Sequence, residues 1–69
     1  MKVSVSYQII KDVEIEVDDR FKALNQIESQ YNKTALQYNL IADIYDRLPN
    51  DAEIISIFGT ESDEPLYEN

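Results

Sequence analysis

Four carboxylates near the N-terminus form the most regular charged pattern in the chain: Asp12, Glu14, Glu16 and Asp18, here called the acidic ladder. Alternate residues of a β-strand point to the same face, so these four would stand about 6.6 Å apart in one row. A row of carboxylates attracts basic surfaces, and at this interval it crudely resembles the phosphates of one nucleic-acid strand. The pattern therefore indicates electrostatic binding rather than catalysis.

A simpler interpretation of the acidic ladder is the solvent face of an antiparallel hairpin, where polar residues alternate outward. Charges at such positions also discourage edge-to-edge pairing between sheets. The register expected from the sequence places Gln8, Ser6 and Ser4 opposite the acids, and none of these side chains can neutralise a carboxylate. The ladder is thus a solvated strand face, a surface for a basic protein, or a nucleic-acid mimic that blocks a DNA- or RNA-binding protein.

Three tyrosines recur every seven residues in the second half of the chain: Tyr31, Tyr38 and Tyr45. Tyrosine is enriched at the centres of protein interfaces because it combines a large apolar body with a polar tip. Tyr31 and Tyr38 lie toward the margin of the apolar stripe of their helix, so we expect them to contact a partner or a second copy of the chain. The alternative is that each tyrosine covers the edge of a small core and keeps its hydroxyl in water.

The catalytic inventory is nearly empty, because the chain has no histidine, no cysteine and a single glycine. Neither a Ser-His-Asp nor a Cys-His arrangement can be assembled, and no glycine-rich loop can hold a phosphate. Glu61, Asp63 and Glu64 offer oxygen ligands for a hard cation but lack the spacing of a calcium loop, which favours a solvated loop. We predict no enzymatic activity, no cofactor and no metal site.

Length and charge restrict the class of protein further. The 69 residues make one domain with a thin core, and 14 acidic against 6 basic side chains give a net charge of −8. Such a chain is repelled by nucleic acid and by anionic membranes, so we expect direct binding to neither. With no signal peptide or membrane span in the pattern, a cytoplasmic location is expected. We predict a small interaction or regulatory protein whose partner is a basic protein, with a nucleic-acid mimic and a structural homo-oligomer or homodimer as alternatives.

An alternating hairpin is the element that must position the acidic ladder. Apolar residues at odd positions predict one strand over Val3 to Ile9 and a second over Val13 to Val17, with a turn at Ile10, Lys11 and Asp12. Asp12 is the turn residue expected to take the left-handed conformation. All apolar side chains share one face if the pairs are Ile9–Val13, Tyr7–Ile15 and Val5–Val17.

Two amphipathic helical stretches follow. Asp18 and Asp19 can cap a helix over Arg20 to Tyr31, and a second stretch runs from Thr34 to Leu48, where Pro49 ends it. The inner arc of the second stretch holds Leu40, Ile41, Ile44, Tyr45 and Leu48, with Tyr38 at its edge. A break near Asn32 with a capping box at Thr34 predicts two helices, whereas an unbroken heptad track from Leu24 to Leu48 predicts one long helix.

The end of the chain predicts a third strand over Glu53 to Phe58, with Ile55 and Ile57 pointing inward. Leu66 and Tyr67 form either a short antiparallel edge strand or part of a loose tail. The fold class that we expect is α+β: an antiparallel sheet of three or four strands, in the order β-β-α-α-β with or without a final short strand, packed by two helices on one face. Residues 1–59 would form the domain, and residues 60–69 an acidic loop or tail.

Overall fold

A computed structural model of the chain describes residues 1–8, 11–60 and 65–69, and confirms the predicted α+β fold class. The elements follow one another in the order β1 (Lys2–Tyr7), β2 (Lys11–Glu16), a 3₁₀ helix (Asp19–Gln26), α1 (Gln30–Tyr45), β3 (Ile54–Gly59) and β4 (Pro65–Glu68). The final short strand is thus present, as β4. Ile9, expected at a strand end, Ile10, expected in the turn, and the loop acids Glu61, Asp63 and Glu64 lie outside the described residues.

The sheet is antiparallel throughout, with the strand order β2-β1-β3-β4. Its inner face packs against both helices in one apolar core. The residues of that core are Val3, Val5, Ile15, Val17, Phe21, Leu24, Leu40, Ile44, Ile54, Ile57 and Leu66. Because β1 and β3 are central, β2 and β4 are the two edge strands of the sheet.

The predicted register of the first hairpin is wrong, although the predicted division into faces is right. Val5 pairs with Val13 rather than with Val17, and Val3 pairs with Ile15. Both registers place apolar side chains opposite apolar ones, so the alternation alone does not choose between them. Among the described residues, Gln8 takes the left-handed conformation, with φ of 55°, whereas Lys11 and Asp12 belong to β2 and not to the turn. The strand connection therefore falls earlier in the chain than the sequence predicts.

The part of the chain that the structure describes has two helices, and the alternative of one long helix is wrong. The break lies at residues 27–29, where the extended backbone of Ile27 and Ser29 separates them, and not near Asn32. Asp18 caps the first helix as predicted, since its carboxylate accepts a hydrogen bond from the Arg20 N–H at 2.8 Å. This helix is a 3₁₀ helix rather than an α-helix. Its fully buried residues Phe21 and Leu24 lie three apart, which suits a helix with three residues per turn.

Helix α1 begins four residues before the predicted position and ends at Tyr45. Ser29 is its N-cap, with Oγ accepting a hydrogen bond from the Asn32 N–H at 3.4 Å, so the predicted cap at Thr34 is wrong. The chain leaves the helix before Leu48 because the residue preceding a proline disfavours the α conformation. The predicted inner arc of α1 is largely confirmed: Leu40 and Ile44 are buried, Ile41 and Leu48 are half-buried, and Tyr45 is 42% exposed.

Strand β3 carries an irregularity that overturns its predicted inward pair. Ile57 is buried as expected, but Ile55 is 37% exposed and Ile54 is buried in its place. The register against β1 shifts between Ser6 and Tyr7, so that Tyr7 pairs with Ile54. A β-bulge inserts one residue into a strand and so interrupts its alternation between faces. Ile54 and Ile57 therefore point to the same side although they are an odd number of residues apart.

Candidate functional site

Three members of the acidic ladder lie together on the exposed outer face of the sheet. Asp12, Glu14 and Glu16 occupy alternate positions of β2 and are all exposed. The intervening Val13 and Ile15 point to the core side. We call these three side chains the β2 carboxylates. The predicted grouping of these acids on one face of a strand thus appears in the structure.

The cross-strand partners of the β2 carboxylates differ from those expected, because the register is different. Ser6 lies opposite Asp12 and donates a hydrogen bond from Oγ to Asp12 Oδ1 at 2.6 Å. Ser4 lies opposite Glu14, and Lys2 lies opposite Glu16. Among the described residues, no cationic group lies within ion-pair distance of Asp12 or Glu14. The negative charge at these two positions is therefore uncompensated.

Glu16 lies at the other end of the row, near the positively charged amino group of Met1 and opposite Lys2. Its Oε1 lies 3.4 Å from the amino group of Met1, which also donates to Asp19 Oδ1 at 2.7 Å. The hydrogen bond that the Met1 amino group donates to Asp19, with a smaller contribution from Glu16, raises the pKa of this amino group above its ordinary value of 8.0. The same hydrogen bond, helped by the charge of Lys22, lowers the pKa of Asp19 below its ordinary value of 3.8. Glu16 is thus partly neutralised by its surroundings.

Asp18, the fourth member of the acidic ladder, is not on the strand. It follows the end of β2 and serves as the N-cap of the 3₁₀ helix, where its carboxylate accepts from the Arg20 N–H. A capping carboxylate already has a donor and is held by the helix terminus. The continuous row therefore consists of three carboxylates rather than four.

The outer face continues from β2 across the sheet as a row of small hydroxyl side chains. Asp12 faces Ser6, Ser6 faces Ser56, and Ser56 faces Glu68 on β4. Directly paired residues share a face, so carboxylates stand at both ends of this row, about 14 Å apart over three strand spacings. In the neighbouring row Ser4 pairs with the half-buried Phe58. The outer face thus combines acidic edges, a shallow serine centre and one aromatic ring.

The two predicted tyrosines lie on the helical layer and not beside the β2 carboxylates. Tyr31, in the first turn of α1, is 83% exposed, and Tyr38, near its middle, is 68% exposed. Tyr45 continues the same stripe and accepts a hydrogen bond at its hydroxyl from the Ile54 N–H at 3.2 Å. The predicted site residues therefore divide between two surfaces: a charged one on the sheet and an aromatic one on α1.

The chemistry available on the outer face is the binding of cations by exposed oxygen atoms. The described residues contain no group of three or more acidic side chains placed to hold a metal ion together. Over the same residues, no helix combines the length and apolar character needed to cross a membrane.

No protein-family model matches the chain, and comparisons with curated proteins and with solved structures give no match.

Several participants in this surface were not singled out from the sequence. Lys2, the Met1 amino group, Phe58 and Glu68 reach it through the register of β1, β3 and β4. The parity of β1 and β2 predicts which face each residue occupies, but it does not show which residue is opposite which. A signal for Glu68 was present, since it follows the Leu66-Tyr67 pair, for which the sequence left a short edge strand and a loose tail as alternatives.

Proposed function

We propose that this protein is a non-enzymatic interaction protein that binds a basic surface of another protein through the β2 carboxylates. The observation that supports this proposal is the exposure of Asp12 and Glu14 on an open sheet face, with no cation in ion-pair reach among the described residues. Uncompensated exposed charges attract opposite charges over roughly a Debye length, about 10 Å at 0.1 M salt. A basic partner is therefore drawn to this face before contact.

A binding role fits the residues better than a catalytic one. Acid–base catalysis by two carboxylates needs a walled site that raises the pKa of one of them. Asp12 and Glu14 instead stand in solvent on an open sheet face. The chain also lacks histidine and cysteine, so no other general base or nucleophile of the usual kind accompanies them.

A protein partner fits better than the mimicry of nucleic acid. A mimic needs an extended row of free negative charges to replace successive phosphates. Here Glu16 is within 3.4 Å of an amino group and Asp18 is engaged as a helix cap, so the free row is short. The serine centre and Phe58 add non-ionic contact area of the kind found in protein interfaces. A basic protein with a small apolar patch is the partner that this face suits.

A second candidate function, the structural homo-oligomer, is favoured by the exposure of Tyr31 and Tyr38. Residues 34–42 of α1 contain no charged side chain, although 29% of the chain is charged. Interface centres are depleted in charge and enriched in tyrosine, so this uncharged segment with Tyr38 at its middle suits a protein contact. Sedimentation of the protein and of a Tyr31→Ser/Tyr38→Ser variant at micromolar concentration tests it. A dimer that the variant loses would support this candidate, and a monomer in both would exclude it.

The experiment for the first candidate compares two variants of equal charge. Asp12→Asn/Glu14→Gln removes two charges from the sheet face, and Glu28→Gln/Glu53→Gln removes two exposed charges elsewhere, so both change the net charge from −8 to −6. Each protein is immobilised, cell lysate is applied, and retained proteins are eluted with a salt gradient. We expect basic proteins to be retained by the wild type and by the second variant, and to be lost from the first. Equal retention by both variants would contradict the proposal.

A further inference from the structure

The alternation of hydrogen-bonded and non-hydrogen-bonded residue pairs in the first hairpin determines which residues of β2 direct their backbone N–H and C=O groups toward the free edge of the sheet. The Val17 N–H donates to the Met1 carbonyl at 2.8 Å, and the Met1 amino group donates to the Val17 carbonyl at 2.7 Å. Residue pairs in an antiparallel ladder alternate between those that exchange both hydrogen bonds and those that exchange none. The pairs at Ile15 and Val13 therefore bond to β1. The backbone groups of Asp12, Glu14 and Glu16 point away from it.

The position of Arg47 agrees with this alternation of hydrogen-bonded pairs. Its guanidinium donates to the backbone carbonyl of Glu16, which must therefore point away from β1 toward the open side of the strand. The contact between Ser6 Oγ and Asp12 Oδ1 also agrees, because side chains approach more closely across pairs that do not exchange backbone hydrogen bonds. The carboxylates and the free backbone groups of β2 thus belong to the same residues.

The two edge strands differ in how far side chains cover their backbone groups. On β4, the side-chain amides of Asn25 and Gln37 donate to the carbonyls of Pro65 and Leu66, at 3.2 and 2.8 Å. On β2, the carbonyl of Glu16 is the only backbone group of Asp12, Glu14 and Glu16 that a side chain of the described residues covers. Within the described parts of the chain, no protein group bonds the outward N–H and C=O of Asp12 and Glu14. The β2 edge is therefore a free template for another strand.

We infer that the β2 edge accepts an antiparallel fifth strand from a partner, and that this strand has lysine or arginine at alternate residues. The inference rests on the proposed function and gives it a binding mode. Residues of an added antiparallel strand that bond to Asp12 and Glu14 also share their outer face, so basic side chains there lie beside the carboxylates. The intervening residues lie beside the half-buried Val13 and are apolar.

The same charges exclude a second copy of β2 from this edge. Pairing β2 with itself would set carboxylates against carboxylates, and like charges directly opposite each other destabilise a strand pair. Protection of an edge by charge normally prevents any strand from adding. On the outer face of β2 the charged side chains are Asp12, Glu14 and Glu16, all negative, so the protection there is selective and admits a strand whose outer-face charges are positive. Charge complementarity thus identifies the occupant as an extended basic segment.

Synthetic peptides of alternating lysine and valine, matched to the length of β2, provide the test. One peptide is N-methylated at its lysines and another at its valines, which removes N–H donors from alternate sides of the strand without changing charge. We expect methylation at lysine to weaken binding at least about tenfold, because those N–H groups bond to the edge, and methylation at valine to have little effect. Equal effects, or a larger effect at valine, would overturn antiparallel addition.

Amide hydrogen exchange and one protein variant separate the binding mode from the function. Peptide binding should slow exchange at Asp12 and Glu14 while leaving Val13, already paired with β1, unchanged; unchanged exchange at all three would overturn strand addition. Glu14→Gln should weaken binding several-fold more than Glu28→Gln, which removes the same charge elsewhere. Loss of this difference would overturn the acidic binding face itself. A retained difference with no methylation effect would overturn the added strand alone.

Discussion

The amino group of Met1 lies 2.7 Å from Oδ1 of Asp19 and so ties the start of β1 to the first turn of the 3₁₀ helix. The same amino group donates to the Val17 carbonyl, which holds the end of the hairpin against the helix. This contact joins the start of β1 to the 3₁₀ helix, next to the end of β2 that carries Glu16. It also gives the stability of the fold a defined dependence on pH.

The pH dependence has two limbs with opposite signs. The pKa of Asp19 is lowered, so its stabilising contribution is present above 3.8 and is lost as the pH falls through the lowered value. The pKa of the amino group is raised, so its contribution is present below 8.0 and is lost as the pH rises through the raised value. We expect the wild type to exceed Asp19→Asn in free energy of unfolding most clearly between pH 3.8 and 8.0.

Urea denaturation across pH checks this prediction. The difference between the wild type and Asp19→Asn should shrink on both sides of the window. Asp51→Asn is the control, because the Asp51 side chain makes no ion pair among the described residues. A difference for Asp19→Asn that stayed constant well above pH 8.0 would show that the amino group does not stabilise the fold.

The position of the α1 cap gives a second prediction. Ser29→Ala removes the side chain that accepts from the Asn32 N–H and should cost about 0.5–1 kcal/mol of unfolding free energy. Thr34→Ala falls inside the helix, where alanine is the better helix former, and should be neutral or slightly stabilising. Urea melts of the two variants distinguish the positions. A larger loss for Thr34→Ala would mean that the helix begins at Thr34.

The bulge in β3 gives a third prediction, using the same substitution at neighbouring residues. Ile54→Ala leaves a cavity in the core and should lower the free energy of unfolding by about 2–4 kcal/mol. Ile55→Ala changes a partly exposed side chain and should cost no more than about 1 kcal/mol. If Ile54→Ala does not fold, Ile54→Val and Ile55→Val give a graded comparison. A cost at Ile55 equal to or above that at Ile54 would contradict the bulged register.

The sequence was sufficient to predict the fold class and the faces of β1 and β2, because strand alternation and helical spacing follow directly from backbone geometry. It was insufficient for the register. Pairing Val5 with Val13 or with Val17 satisfies the alternation equally well, and the choice depends on a turn in which Gln8 takes a left-handed conformation. Glutamine has no special preference for that region, so the conformation of Gln8 left no signal in the sequence.

The same limit applies to β3 and to the candidate binding surface. The bulge that buries Ile54 depends on pairing with β1, which is distant in sequence. The grouping of Asp12, Glu14 and Glu16 on one face was predictable, but the neutralisation at Glu16 was not, since it requires the register that brings Lys2 and the Met1 amino group to it. The role of Asp18 as a cap was predicted from its position before the first helical stretch.

The most direct test of the central claim is an NMR titration of the protein with the unmodified lysine–valine peptide, following every backbone amide. We expect the chemical-shift changes to concentrate at the backbone amides of Asp12 and Glu14 and of their cross-strand neighbours Ser6 and Ser4. These changes should diminish as salt is added. Shifts centred on Tyr31 and Tyr38, or spread evenly over all exposed acidic positions, would contradict a binding site on the β2 carboxylates.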